Sequence, residues 1–149
     1  MTYGIDSSFL VAAELLEHPE HGSTRALIGE CIARGARFAL APQVLAEYIH
    51  VATDVRRFAN PLTVVHATNL AERWWTAHEV TQVFPDALTM MQFLSWMNTH
   101  RLGRKRILDT LLAATYLRSG TTSLLTLNAR DFVVFGCFQC LSSVRDLTP

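Results

Sequence analysis

The chain has 149 residues, half of them apolar, which suits one domain around one core and argues against disorder. Thirteen basic and thirteen acidic side chains cancel, so bulk charge announces no nucleic-acid partner. No apolar run approaches the ~18–20 residues that span a bilayer, no basic stretch leading into an apolar run suggests a secretory signal, and three cysteines make a secreted disulfide framework a poor fit. A reducing, cytoplasmic setting without membrane contact is the expectation.

In chain order, Tyr3-Gly4-Ile5-Asp6 reads as a short buried strand that ends on an acid. Ser7 and Ser8 are N-cap candidates for a helix reaching about Glu17. His18-Pro19-Glu20-His21-Gly22 breaks that helix, and Ser23 can cap a second one to about Arg34, stopped by Gly35. Arg37 to Ala41 is a second strand, and Pro42 suits the first turn of a third helix running to about Thr53. That helix carries Glu47 at the edge of an apolar stripe formed by Leu45, Tyr48, Ile49 and Ala52.

Arg56 to Pro61 is a connector, Leu62 to about His78 is helical, and Glu79 to Phe84 is a short strand. Pro85 opens a helix from Asp86 to about His100. Its apolar residues (Leu88, Met90, Met91, Phe93, Leu94, Trp96, Met97) spread wider than one stripe. Deep burial or a partner chain would explain that width, and core packing is the preferred reading. Lys105 to Arg118 is the next helix, with Asp109 early in it and Gly120 as its stop. Ser123 to Leu127 is a buried strand, and Asn128 to Phe132 a polar turn at its carboxyl end. A last strand falls around Phe135 to Leu141, before a surface tail from Ser142 to Pro149. There is no internal repeat or linker, so residues 1–149 are expected to form a single domain.

Strands alternating with helices imply an α/β fold with a mainly parallel sheet and helices on both faces. Asp6 and the Asn128–Asp131 turn then share the carboxyl edge of the sheet, where such folds bind ligands. Glu47 and Asp109 lie on helices that can point there. Carboxylates gathered in one cleft repel each other unless cations share it, and oxygen ligands suit Mg²⁺ or Mn²⁺. Such a site can activate water against a phosphodiester. Twelve of the thirteen basic residues are Arg, and Arg101, Arg104, Lys105 and Arg106 crowd together. They form either a solvated helix junction or a patch that faces phosphate. The six His make no zinc spacing, and Cys137-Phe138-Gln139-Cys140 reads as a pair on or near a strand.

Four stretches carry a resemblance: Ile5-Asp6-Ser7-Ser8-Phe9-Leu10-Val11, Leu45-Ala46-Glu47-Tyr48, Leu108-Asp109-Thr110-Leu111-Leu112-Ala113-Ala114, and Leu125-Thr126-Leu127-Asn128-Ala129-Arg130-Asp131-Phe132. In that order, across nearly the whole chain, they resemble the motifs of PIN-domain ribonucleases. More narrowly they are similar to the toxin halves of bacterial and archaeal VapBC toxin–antitoxin modules. The resemblance implies a PIN-like three-layer α/β/α domain with four to five short strands. It also implies a metal-dependent endoribonuclease in which Asp6, Glu47 and Asp109 hold Mg²⁺ or Mn²⁺. The fourth polar position falls to Asn128 or Asp131, either of which would orient water or metal, with a structural role as the alternative for Asp131. Thr126 matches a polar residue near the site, and Ser7 or Ser8 would contact substrate or water as well as cap. Arg104, Lys105 and Arg106 are candidates for the RNA backbone.

The resemblance further implies a homodimer, held inactive by a VapB-like antitoxin that crosses the cleft. The wide apolar region from Leu62 to Met97 would then have a use. Two rivals stand beside this reading. One is a catalytically weak PIN-fold module that only binds RNA or protein. The other is a phosphoryl-transfer enzyme of another doubly wound family, which would want a second acid where Ser8 stands.

Overall fold

The computed structural model describes residues 1–147. Five short strands form a wholly parallel sheet: β1 (Thr2–Ile5), β2 (Arg37–Leu40), β3 (Val80–Gln82), β4 (Ser123–Leu125) and β5 (Gln139–Leu141). Their spatial order is β3-β2-β1-β4-β5. The chain builds outward from β1 to β3, then crosses back and builds the other way from β4. The reversal lies between β1 and β4, which is where open α/β sheets open a crevice at their carboxyl ends. The register sets Gly4 opposite Ala39 on one side and Leu124 on the other.

Helices α1 (Ser7–Glu14), α2 (His21–Ala33), α3 (Pro42–Ala52) and α4 (Val64–Thr76) belong to the first run of crossovers. Helices α5 (Ala87–Thr99), α6 (Ile107–Arg118) and the short α7 (Arg130–Val133) belong to the return. Right-handed crossovers running in opposite directions put the two groups on opposite faces of the sheet. The packing agrees: α1 rests on α2 and α3, and α3 on α4, while α6 rests on α5 and α7. This is the expected three-layer α/β arrangement. The core is built from the strands and inner helix faces, with Phe9, Phe38, Tyr48, Tyr116 and Phe132 among its largest buried side chains.

Local chemistry explains most boundaries. Pro42 occupies the first turn of α3 as expected. Asp86 caps α5 by accepting the Thr89 N–H at 2.7 Å, and the Thr89 hydroxyl accepts the Asp86 N–H at 3.1 Å in return. Gly35 and Gly120, at φ of 72° and 79°, end α2 and α6 in the left-handed region that side chains resist.

The structure departs from expectation in several places. α1 stops at Glu14 rather than near Glu17, because Leu15 turns to extended backbone and is buried there. The Asn128–Phe132 turn becomes α7, which sinks Phe132 into the core. The last strand is confined to Gln139–Leu141, while Phe135 stacks on Trp96 of α5 with centroids 4.3 Å apart. The tail is not all surface: Val144–Asp146 forms a 3₁₀ turn and Leu147 is buried, while residues 148 and 149 lie outside the described range.

The core reading of α5 also fails. Only Thr89 of that helix is fully buried, and Leu88, Met90, Met91 and Leu94 are exposed by 56%, 42%, 65% and 49%. Ile107 and Leu108 at the start of α6 are exposed as well. The helix packs one edge on α6 and turns the rest of its apolar surface outward. Among the described residues no helix is long and apolar enough to cross a membrane.

Candidate active site

The site starts from the reversal point of the sheet. β1 ends at Ile5, and the Asp6 N–H donates to the Leu125 carbonyl of β4 at 3.0 Å. Asp6 then opens α1 in the N-cap position, with its carbonyl accepting the Phe9 and Leu10 N–H groups. Its side chain does not cap. The carboxylate is turned into the crevice, where it is 3% exposed. One oxygen, Oδ2, accepts the Ser8 hydroxyl at 2.5 Å and the Thr126 hydroxyl at 2.8 Å. Ser8 Oγ also accepts the Leu127 N–H, and Thr126 Oγ1 the Asn128 N–H. Two hydroxyls thus sew the ends of β1 and β4 to one carboxylate. The hydroxyl that does this from α1 is Ser8's; neither Ser7 nor Ser8 caps the helix through its side chain.

The other acids arrive from helices. Asp109 sits in the first turn of α6, and α6 is pinned to β1 two turns later, where the Tyr116 hydroxyl donates to the Ile5 carbonyl at 2.6 Å. Glu47 lies on α3, one turn after Gln43, whose amide donates to the Leu108 carbonyl at 3.0 Å. That bond ties the two acid-bearing helices across the crevice. Asp131 stands on α7. Its carboxylate is 3.5 Å from Arg106 Nη1, and its carbonyl accepts Arg106 Nη2.

Asp109 feels the other three acids. Burial pushes the Asp109 carboxyl up to about 6, and the charges of Asp6, Asp131 and Glu47 push in the same direction, against the pull of Arg106. Burial also raises Asp6, while the Ser8 and Thr126 hydroxyls pull it back down. Among the described residues no three carboxylate, imidazole or thiol groups stand close enough together to hold an ion between them. The donor set is nonetheless all hard oxygen, and its mutual repulsion is what a divalent cation relieves. It fits Mg²⁺ or Mn²⁺ better than a protein-built cage would suggest, because Mg²⁺ keeps several waters and takes one or two carboxylates directly.

The basic cluster divides. Arg104 and Lys105 are exposed on a 3₁₀ turn before α6 and remain free to meet a polyanion. Arg106 is turned inward to Asp131, and its Nε is buried with no hydrogen-bond partner. That pairing clamps α7 against the start of α6. No sequence spacing signals this pairing, since the two residues are 25 positions apart. Asn128 is exposed and lines the crevice beside Ser7, Ser8 and Glu47. Cys137 and Cys140 are free thiols, and Cys140 lies on β5.

Asp109 makes stability depend on pH. Its folded value, about 6, lies above the ordinary 3.8. The folded state therefore binds the extra proton between those values, and stability falls as pH rises through 6. Without metal, Asp109→Asn should stabilise the protein at pH 7 by about 1 kcal/mol, discounted for partial solvent screening, and by much less at pH 4. Chemical denaturation in EDTA at both pH values measures this. An equal effect at both would remove the carboxylate cluster as its cause.

No family model matches the chain. Ribonuclease VapC24 of Mycobacterium tuberculosis is 27% identical over 137 residues, covering 89% of this chain and 90% of the relative. The crystal structure of VapC20 from Mycobacterium tuberculosis, a toxin that cleaves the sarcin–ricin loop, is similar with a TM-score of 0.71 and 17% identity over the whole of both chains. VapBC2 from Rickettsia felis, bound to a DNA fragment from its promoter, gives 0.66 and 16% over 95% of this chain and 98% of that one. VapBC-1 from nontypeable Haemophilus influenzae gives 0.65 and 18% over 95% and 97%. The PIN-like α/β/α fold and the resemblance to VapC-type PIN domains are both borne out.

Proposed function

We propose that this VapC-like chain is a divalent-metal-dependent endoribonuclease, the toxin of a type II toxin–antitoxin pair. One observation carries the reading: acids at the end of β1 and on α3, α6 and α7 lie around the sheet's reversal point, where burial first, and then the charges of Asp6, Asp131 and Glu47, raise the Asp109 carboxyl to about 6. Such a concentration of negative charge is costly in a purely structural role. The similarity to ribonuclease VapC24 over most of both chains supports the choice of RNA as substrate.

Asp6, Glu47 and Asp109 would hold Mg²⁺ or Mn²⁺, which supplies activation of water and neutralisation of phosphodiester charge. The protein's own part is positional. Ser8 and Thr126 fix one Asp6 oxygen, Oδ2. The Gln43–Leu108 bond keeps Glu47 and Asp109 on facing walls. Arg106 partly neutralises Asp131 and anchors α7, so that Asp131 shapes the field at Asp109 while Asn128 faces the substrate space. Arg104 and Lys105, exposed beside the start of α6, would attract the RNA backbone. The test is cleavage of RNA by the purified protein with Mg²⁺ or Mn²⁺ and its absence in EDTA. Metal-independent RNA binding without cutting would favour the binding-module rival.

The VapBC assemblies to which the chain is similar support a VapB-like antitoxin as partner. The outward face of α5, continuous with Ile107 and Leu108, supports a homodimer, since exposed apolar patches of this kind mark interfaces. Light scattering at micromolar concentration should give twice the 16.7 kDa of one chain, and Met91→Glu should halve it. A monomer in the unmodified protein would refute the dimer.

A further inference from the structure

On the α1–α3 side of the crevice lies a cavity of about 380 Å³ that extends from Ser8, Glu47 and Asn128 to His18 and Phe58. Its size falls in the range of small-molecule sites, about 300–1,000 Å³. Ser8, Glu47 and Asn128 belong to both spaces, so whatever fills the cavity lies directly beside the acids. Val11, Val51, Phe58 and Leu127 supply its apolar lining. Six polar or charged residues complete it: Ser7, Ser8, Glu47, Asn128, His18 and the largely exposed Arg57, which also pairs with Asp54 at 3.7 Å.

The outer wall is built rather than incidental. It comes from two separate loops, one after α1 and one after α3. The carboxylate of Glu17, in the first loop, accepts the Ala59 N–H at 3.2 Å and the Asn60 N–H at 2.7 Å in the second. Those bonds staple the loop carrying His18 to the loop carrying Phe58. Within the first loop, His18 Nδ1 accepts the Glu20 N–H at 3.1 Å, so the neutral ring carries its proton on Nε2 and can donate it. Phe58 is half-buried against the core and contacts no other aromatic ring among the described residues.

We propose that this cavity is a nucleobase subsite. One base of the RNA strand, adjacent to the phosphate being cut, stacks on Phe58 with its polar edge toward Asn128 and His18, while its own phosphate lies outward toward Arg57. The proposal rests on the ribonuclease reading and adds the means by which that site selects its RNA. Charge decides the orientation: the Glu47 carboxylate disfavours an anion beside it, so the neutral base goes in and the phosphate lies toward Arg57. Stacking tolerates any base, whereas the amide and imidazole at the edge distinguish among them.

The experiment pairs binding with cleavage. Fluorescent single-stranded octamers of A, C, G or U are titrated in Mg²⁺ against full-length protein carrying Asp6→Asn, with and without Phe58→Ala. The same octamers are then offered to protein with Asp6 intact. Phe58→Ala should weaken binding roughly tenfold and even out the four affinities, and with Asp6 intact it should raise KM far more than it lowers kcat. Phe58→Trp, which keeps a stacking face, should retain both affinity and preference. Should Phe58→Ala fail to fold, Phe58→Leu keeps the bulk without the ring and should show the same loss. Cleavage by the unmodified protein with affinity and preference unchanged in Phe58→Ala or Phe58→Leu overturns the subsite and leaves the nuclease reading intact. No binding and no cleavage of any RNA by the unmodified protein overturns both.

Discussion

Asp6→Asn should fold as well as the unmodified protein and, on the proposed reading, cut RNA about 10²–10³-fold more slowly. The two halves of this expectation have one cause. Asp6 is buried, its charge is disfavoured by desolvation, and its hydrogen bonds come from neutral hydroxyls of Ser8 and Thr126 rather than from a cation. An amide of the same shape keeps an oxygen to accept from both hydroxyls and removes the desolvated charge. Stability in EDTA should therefore stay level or rise by about 1 kcal/mol. On the proposed reading catalysis would lose the carboxylate nearest the reversal point and a divalent ion would lose one of its few direct ligands; losses on the order of 10²–10³ follow removal of a single electrostatic element. The measurement is initial cleavage rate in Mg²⁺ beside a denaturation curve. Undiminished cleavage would remove Asp6 from the site, and a matching loss of stability would make its role structural.

Gly4→Val should cost about 3 kcal/mol of stability, lowering Tm by roughly 10 °C. The reason lies in packing rather than in backbone freedom. A Cβ at position 4 would stand 2.7 Å from Leu124 Cδ2 and 2.9 Å from Tyr116 Cδ2. Leu124 is fully buried, and the Tyr116 ring cannot yield cheaply because its hydroxyl is committed to the Ile5 carbonyl. The strain is therefore passed to the strand that ends in Asp6 and to the helix that carries Asp109. Leu124→Ala should be destabilising alone yet restore part of the loss when combined with Gly4→Val, since the added methyls fill the space it leaves. A Gly4→Val protein melting within a degree or two of the unmodified one would show that the β1–α6 contact is looser than drawn. Because α6 rides on this contact, RNA cleavage should fall in Gly4→Val even below its melting range.

Much of this molecule could be read along the chain. Alternation of apolar strands with amphipathic helices indicated a parallel sheet, and the turn and cap residues placed most boundaries within a few positions. The acids stood out because Asp6 ends a strand and Asp109 interrupts an otherwise apolar helix start. Local periodicity reports which side of an element is buried, and those features are local. What it does not report is the neighbour. The width of the apolar pattern on α5 could mean core or interface, and only the seating of α5 on one edge of α6 shows that Leu88, Met90, Met91 and Leu94 face out.

The same limit separates the two hydroxyls and the basic cluster. Ser7 and Ser8 are equivalent as a pair in sequence, but the twist of the first helical turn aims Ser8 at Thr126, 118 positions away. Arg104, Lys105 and Arg106 form one charge run, yet α7 offers an anion to Arg106 alone. Residue types and their order along the chain determined the class of fold and supplied the four acids. Tertiary structure decided that β1 lies beside β4, and with it that Asp6 meets Thr126, that Arg106 clamps Asp131 and that Phe58 walls a cavity next to Glu47. Each of these is a pairing across many residues, set by which strands and helices can bury their apolar faces together, and that choice is made by the whole core at once.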